Sequence, residues 1–187
     1  MIALRISLFI IFSLLLSACA TTTNKTPAVK KKIIISMKNE TLSDLYKRKP
    51  ETKSLINNSK GYAVFSNANV NLILASFGGG YGVVKDNSNG HFTFMNMGEV
   101  GIGFGLGVKD FRLIFVFHTR KSLQRFINHG WAFGGQADVA AKVGDKGDAI
   151  GKEVTIDDIT IYQITKSGLA LQATIKGTKF WKADDLN

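Results

Sequence analysis

Phe77-Gly78-Gly79-Gly80-Tyr81-Gly82-Val83-Val84, then after a turn and a short strand Gly98-Glu99-Val100-Gly101-Ile102-Gly103-Phe104-Gly105-Leu106-Gly107-Val108, is the stretch that decides how this chain reads. From Gly101 to Val108 glycine alternates with a bulky apolar residue. Strand side chains alternate faces, so one face carries Ile102, Phe104, Leu106 and Val108 while the other is bare. The pattern is that of a strand, not of a phosphate loop. Nor do the glycines fall into G-x-G-x-x-G ahead of a helix, which disfavours a dinucleotide fold. Glycine weakens a strand interior, so a run of them in register means that something approaches the backbone closely, either another segment of the fold or a ligand.

The neighbours of this stretch are strands too. Gly61 to Phe65 reads as one, and Val70 to Ser76 leads into the glycine cluster as another. Asn87-Ser88-Asn89-Gly90 is a turn that joins Tyr81–Val84 to His91–Met97 as a hairpin. Phe111 to Phe117 is a nearly continuous apolar run of strand length, expected to be buried on both faces. Ser122 can cap a helix in which Leu123, Phe126 and Ile127 share a face, ending at Gly130. Trp131 to Val143 is small and apolar, Gly144 to Gly151 is a loop, and Ile159–Thr165 with Leu169–Lys176 makes a last hairpin around Lys166-Ser167-Gly168.

Upstream of the sheet the pattern is helical. Leu42, Leu45 and Tyr46 fall at spacings of three and four from Glu40 onward, with Lys47, Arg48 and Lys49 close by, until Pro50 breaks the run. A second helix covers Pro50 to Asn58, with proline in its favoured first position and Gly61 beyond its end. The stripe of Leu42, Leu45 and Tyr46 either packs on the domain's own sheet or lies on a lipid surface. Before it, Lys30-Lys31-Lys32 is either a solvated charge run leading into a strand at Ile33-Ile34-Ile35 or a polybasic segment that attracts anionic head groups.

The first residues place the chain in a compartment. Arg5 precedes an apolar run from Ile6 to Leu16, too short for a comfortable membrane span and shaped like a secretion signal. It ends Leu16-Ser17-Ala18-Cys19, which resembles the lipobox of bacterial lipoproteins. By that resemblance residues 1–18 are removed, Cys19 is acylated as the first mature residue, and Ala20 after it favours the outer membrane. Residues 19–36 then form the lipidated amino terminus and tether, of which Ala20 to Pro27 is small and polar, and 37–187 form the domain. The single cysteine is consumed, leaving no disulfide and no thiol nucleophile.

The net charge of +10 over 187 residues makes an anionic partner the electrostatic expectation. Nucleic acid is discounted, because secretion removes the chain from it and the aromatics sit in apolar strands instead of interleaving with arginine. Catalytic machinery is not found. The acidic residues form no evident acid and base couple, and His91, His118 and His129 have no metal-ligand spacing. Ser167 sits in a hairpin turn, not a G-x-S-x-G elbow, and Asp145 with Asp148 makes too few ligands for calcium. Neither metal nor cofactor is expected.

Taken in order, Ser59-Lys60-Gly61-Tyr62-Ala63-Val64-Phe65, Gly79-Gly80-Tyr81-Gly82, the alternating-glycine strand, a short helix ending in Trp131, and Gly168-Leu169 followed by Gly177 resemble the SYLF domain. The resemblance runs from about Thr41 to the carboxyl terminus, where Asp185-Leu186-Asn187 looks like a shortened form of the domain's closing motif. Gly103 and Gly107 stand where many members have glutamine, and Lys176 where an acidic residue is common. The resemblance implies a lipid-binding module without established enzyme activity; the actin binding of some yeast members is not expected to transfer to a bacterial envelope protein.

The resulting expectation is an α+β, mostly β single domain: a curved antiparallel sheet or small barrel with amino-terminal helices and one further short helix. It is a non-enzymatic lipoprotein of the bacterial envelope, on the outer membrane facing the periplasm, that binds phospholipid. Lys30, Lys31 and Lys32 meet head groups, and Leu42, Leu45 and Tyr46 touch acyl chains if their helix lifts from the sheet. The alternative is a structural lipoprotein whose partner is another envelope protein.

Overall fold

The computed structural model describes residues 25–72, 75–101, 107–130, 154–156, 158–165, 168–170 and 178–187. Cys19, the heart of the alternating-glycine strand at 102–106, the segment 131–153 with Asp145 and Asp148, and Lys166, Ser167 and Gly177 lie outside those residues.

Helices α1 (Pro27–Arg48) and α2 (Thr52–Asn58) lead into strands β1 (Gly61–Leu72), β2 (Ala75–Asp86), β3 (Phe92–Gly101) and β4 (Gly107–Phe117). Helix α3 (Arg120–His129) follows. Then come β5 (Val154–Ile156), β6 (Ile159–Thr165), β7 (Gly168–Ala170), β8 (Thr178–Lys182) and a single helical turn at Asp184–Leu186. The sheet order is β5-β6-β4-β1-β2-β3-β8, with β7 also paired to β6, and every pairing is antiparallel. That is the α+β fold expected, in its open-sheet form.

Parity along the strands separates two faces. One carries Tyr62, Val64, Val83, Phe94, Ile114, Val116, Tyr162 and Ile164, and packs against Ile34, Met37, Leu42 and Leu45 of α1. The other carries Phe65, Met95, Leu113, Phe115, Phe117 and Phe180, and packs against Leu123 and Phe126 of α3. Leu113 to Phe117 is therefore buried on both faces, as its unbroken apolar run required. The α3 side centres on aromatic contacts: Phe65 lies 4.7 Å from Phe180, 5.9 Å from Phe115 and 6.1 Å from Phe126, ring centre to ring centre.

Glycine lets two of these layers close. A Cβ on Gly82 would run into the Phe65 ring and the Val64 carbonyl. Gly130 ends α3 at φ +65°, and a Cβ there would collide with the Phe180 carbonyl.

Several boundaries differ from the sequence reading. The first helix begins at Pro27, not near Glu40, and runs through the polybasic residues and Ile33–Ile35, so the tether expected to extend to residue 36 is helical from Pro27. The Thr26 side chain caps it by accepting from the Val29 amide, and Pro27 is tolerated in the first turn, where its missing N–H costs nothing. Pro50 precedes the second helix instead of starting it. The strand expected at Val70–Ser76 is the end of β1 and the start of β2, paired Leu72 to Ala75. The cap of α3 is Thr119, whose hydroxyl accepts from the Ser122 amide; Ser122 is inside the helix.

At the β2–β3 turn a buried carboxylate is fully engaged. Arg120 Nη1 donates to both Asp86 oxygens at 2.7 and 2.8 Å, and Ser88 donates through its amide at 2.9 Å and its hydroxyl at 2.7 Å. Desolvation pushes the Asp86 pKa up, but the Arg120 and Ser88 hydrogen bonds outweigh it and hold the group below the ordinary carboxylate range. A depressed folded pKa stabilises above the unfolded value, about 4, and that stability is lost as pH falls through the folded one. Asp86→Asn is therefore expected to lose about 1–3 kcal/mol at pH 7. Urea unfolding should show the gap from wild type closing below about pH 4; a gap independent of pH would show that the carboxylate charge is not what stabilises the turn.

Candidate functional site

The polybasic run does not act as one block. In the first turns of α1, Lys30 Nζ donates to Asp185 Oδ2 at 2.8 Å, and Lys31 Nζ sits 5.4 Å from the centre of the Phe94 ring. The Lys30 hydrogen bond holds the Asp185 carboxyl below its usual range. Lys32 is exposed. Two of the three lysines thus brace the helix against β3 and the carboxyl-terminal turn, and Lys32 alone of them is fully on the surface.

Leu42 and Leu45 are buried in the core beneath α1, and Tyr46 packs partly buried beside them. In this arrangement they face the sheet, not a lipid surface. Burial pushes the Tyr46 hydroxyl pKa up, and lifts Tyr62 below it to about 12 through burial first and the neighbouring Tyr46 second. Exposing Ile34, Met37, Leu42 and Leu45 together would forfeit about 1.5–3 kcal/mol for each, which makes detachment of the helix expensive.

Lys38 was not singled out from the sequence. It lies within the apolar stripe, between Ile34 and Leu42, and is itself buried. Its ammonium stands 5.2 Å from the Phe92 ring centre, and that of Lys85 stands 6.0 Å from the same centre. Burial and then the repulsion of Lys85 lower the Lys38 pKa. The signal was available: position 38 shares a helix face with 34, 41, 42 and 45.

The tail completes the strap. Asn187 Oδ1 accepts from the Phe94 amide at 2.8 Å, while its Nδ2 donates to the carbonyls of Phe94 at 2.9 Å and Ala183 at 2.8 Å. Leu186 is buried with Ile34. The Asp185-Leu186-Asn187 ending therefore ties the amino end of α1 to β3.

The sheet face under α1 continues past the helix with a different character. Among the described residues the exposed large apolar side chains are Val29 at 45%, Tyr81 at 39%, Val100 at 58% and Trp181 at 42%. Tyr81 pairs with Asn96, and Asn96 with Trp181, so the two aromatics share a face across three strands. The Trp181 ring lies over Gly98, 3.1 and 3.3 Å from where a Cβ would be; Gly79 beside it has open space in front of it. Isolated aromatics in a sequence do not announce exposure, and sequence reasoning missed these.

On the opposite face Asn67 Nδ2 donates to Glu99 at 2.8 Å, leaving Asn67 Oδ1 and the nearby Thr178 Oγ1 buried without partners. His118 Nε2 lies 2.7 Å from the Thr160 hydroxyl. Among the described residues no group of three or more His, Cys, Asp or Glu could hold a metal ion. No described helix is long and apolar enough to cross a membrane.

Comparison with known proteins adds two findings. Residues 98–187 match the family Ysc84, described as Las17-binding protein actin regulator. The chain is also 30% identical over 156 residues to Beta cell expansion factor A of Aeromonas veronii, an alignment that covers 82% of this chain and 57% of that protein. The chain thus spans little more than half the length of that curated relative.

Proposed function

From the match of residues 98–187 to Ysc84 and the likeness to Beta cell expansion factor A, we propose that this chain is a SYLF-family lipoprotein of the bacterial envelope that binds phospholipid without catalysing a reaction. Ysc84 is not an enzyme family, which supports the non-enzymatic reading. Cys19 carries the acyl chains, on the outer membrane facing the periplasm, and the domain meets the same leaflet through its cationic surface. The observation that carries this reading is the amino end of α1. It puts exposed Val29 and Lys32 at the surface while the rest of the apolar stripe stays sealed on the sheet.

Sedimentation with vesicles tests it. The mature chain bearing Cys19→Ser is expected to pellet with vesicles containing anionic phosphatidylglycerol and far less with pure phosphatidylcholine. Equal recovery in both supernatants would overturn the reading. The lysines should contribute unequally. Lys32→Gln is expected to weaken anionic-vesicle binding about fivefold, the effect of losing roughly 1 kcal/mol. Lys30→Gln should cost less, because Asp185 already balances that charge. Dissociation constants that change equally for both would show that the Lys30–Asp185 pair does not persist at the membrane.

A second reading is favoured by the family description, which names a protein as the binding partner. Here the domain docks an envelope protein and lipid is met only through the anchor. Crosslinking in intact cells, read beside the vesicle assay, separates the two.

A further inference from the structure

Resting on the lipid-binding reading above, we infer that the domain meets the bilayer through its β8 edge, with Trp181 and Tyr81 as interfacial anchors. The helix α1 covers one half of its sheet face, over Tyr62, Val64, Val83 and Phe94. On the other half the rows Ser66–Tyr81–Asn96–Trp181 and Ala68–Gly79–Gly98–Lys179 cross the sheet in register. The second row is nearly without side chains until Lys179, so the aromatics of the first stand beside a low floor. Strand spacing puts Tyr81 and Trp181 about 10 Å apart on that surface. Rings with an apolar body and a polar N–H or O–H, exposed beside cations, are suited to the head-group layer, where such side chains concentrate.

Two observations commit the surface to a bilayer. The first is where the anchor must emerge. Lys30 is bonded to Asp185, so the amino end of α1 lies against the turn that follows β8. The stretch from Cys19 to Thr26 can span at most about 28 Å. A lipid on Cys19 therefore draws the β8 edge, not the distant β6 edge, toward the membrane.

The second is charge. Lys25, Lys30, Lys31, Lys32, Lys179 and Lys182 belong to these two segments, against Asp184 and Asp185. Asp110 lies in the same row as Lys179 but across the sheet on β4. The edge is thus cationic and complements an anionic leaflet.

Tryptophan emission tests the inference, because the sequence contains two tryptophans, Trp131 and Trp181. The full lipidated chain is reconstituted in vesicles of phosphatidylcholine and phosphatidylglycerol, with or without phosphatidylcholine brominated near the glycerol end of its acyl chains. In the Trp131→Phe variant, bromolipid is expected to quench emission about twofold, as for a ring held at the interface. If that variant does not fold, wild type and Trp181→Phe give the same information by difference. Trp181→Ser with Tyr81→Ser in the chain bearing Cys19→Ser is expected to weaken vesicle binding about tenfold or more.

Protein that floats with vesicles while Trp181 stays unquenched would overturn this inference and leave the lipid reading standing. Protein that stays out of the vesicle fraction would overturn both. A concentration-dependent blue shift of Trp181 without vesicles would assign the surface to a second copy of the chain, which also overturns it.

Discussion

Phe65→Ala is expected to destabilise the domain by about 3–5 kcal/mol, the range for emptying a buried aromatic site. Phe65 is fully buried and its ring meets Phe115, Phe126 and Phe180, which come from β4, α3 and β8. It also fills the space that the missing side chain of Gly82 leaves open. No neighbour can collapse into the gap without dragging a strand or α3 with it, so the loss should fall at the upper end. For a domain whose total stability is about 5–15 kcal/mol, that is a large fraction. Urea unfolding followed by circular dichroism reads it; a loss below about 1 kcal/mol would mean that the aromatic layer is not close-packed.

In the mature chain, Cys19→Ser is expected to move the protein almost completely from the salt-washed membrane fraction to the soluble fraction. Each buried methylene contributes about 0.8 kcal/mol, so the acyl chains proposed on Cys19 would hold far more firmly than the lysines of α1 or the exposed aromatics Tyr81 and Trp181. The electrostatic component alone, about 1 kcal/mol for each lysine, leaves a reversible association that salt removes. Retention of the variant in salt-washed membranes would contradict the assignment of Cys19 as the anchor.

Local chemistry made much of the fold legible. Asn87-Ser88-Asn89-Gly90 combines turn-forming residues with flanking apolar strands, and the β2–β3 hairpin follows from it. Phe111–Phe117 has no polar alternation beyond Arg112, so burial of its centre on both faces was readable from the residues alone. The start of α1 was missed for a different reason. Three lysines followed by three β-branched isoleucines favour a strand locally, and the packing of Ile34 and Met37 on the sheet overrode that preference. The Thr26-Pro27 pair that marks the true start was present in the sequence.

What could not be read locally is what depends on distant partners. Lys30 and Asp185 are brought together by the whole sheet, as are Asn187 and Phe94. They make of a run read as either a solvated charge run or a polybasic segment a brace in which Lys30 and Lys31 engage the fold and Lys32 is exposed. The exposure of Trp181 likewise depends on Gly98, a residue of the neighbouring strand.

The proposed lipid binding leaves the domain closed at the membrane, with α1 seated on its sheet. Hydrogen exchange of the Leu42 and Leu45 amides, with and without anionic vesicles, tests that directly. Equal protection in the two conditions is predicted, since these side chains remain in the core beneath the helix. Loss of their protection on adding vesicles would show that α1 lifts away and offers Leu42, Leu45 and Tyr46 to lipid, and would contradict binding by the closed domain.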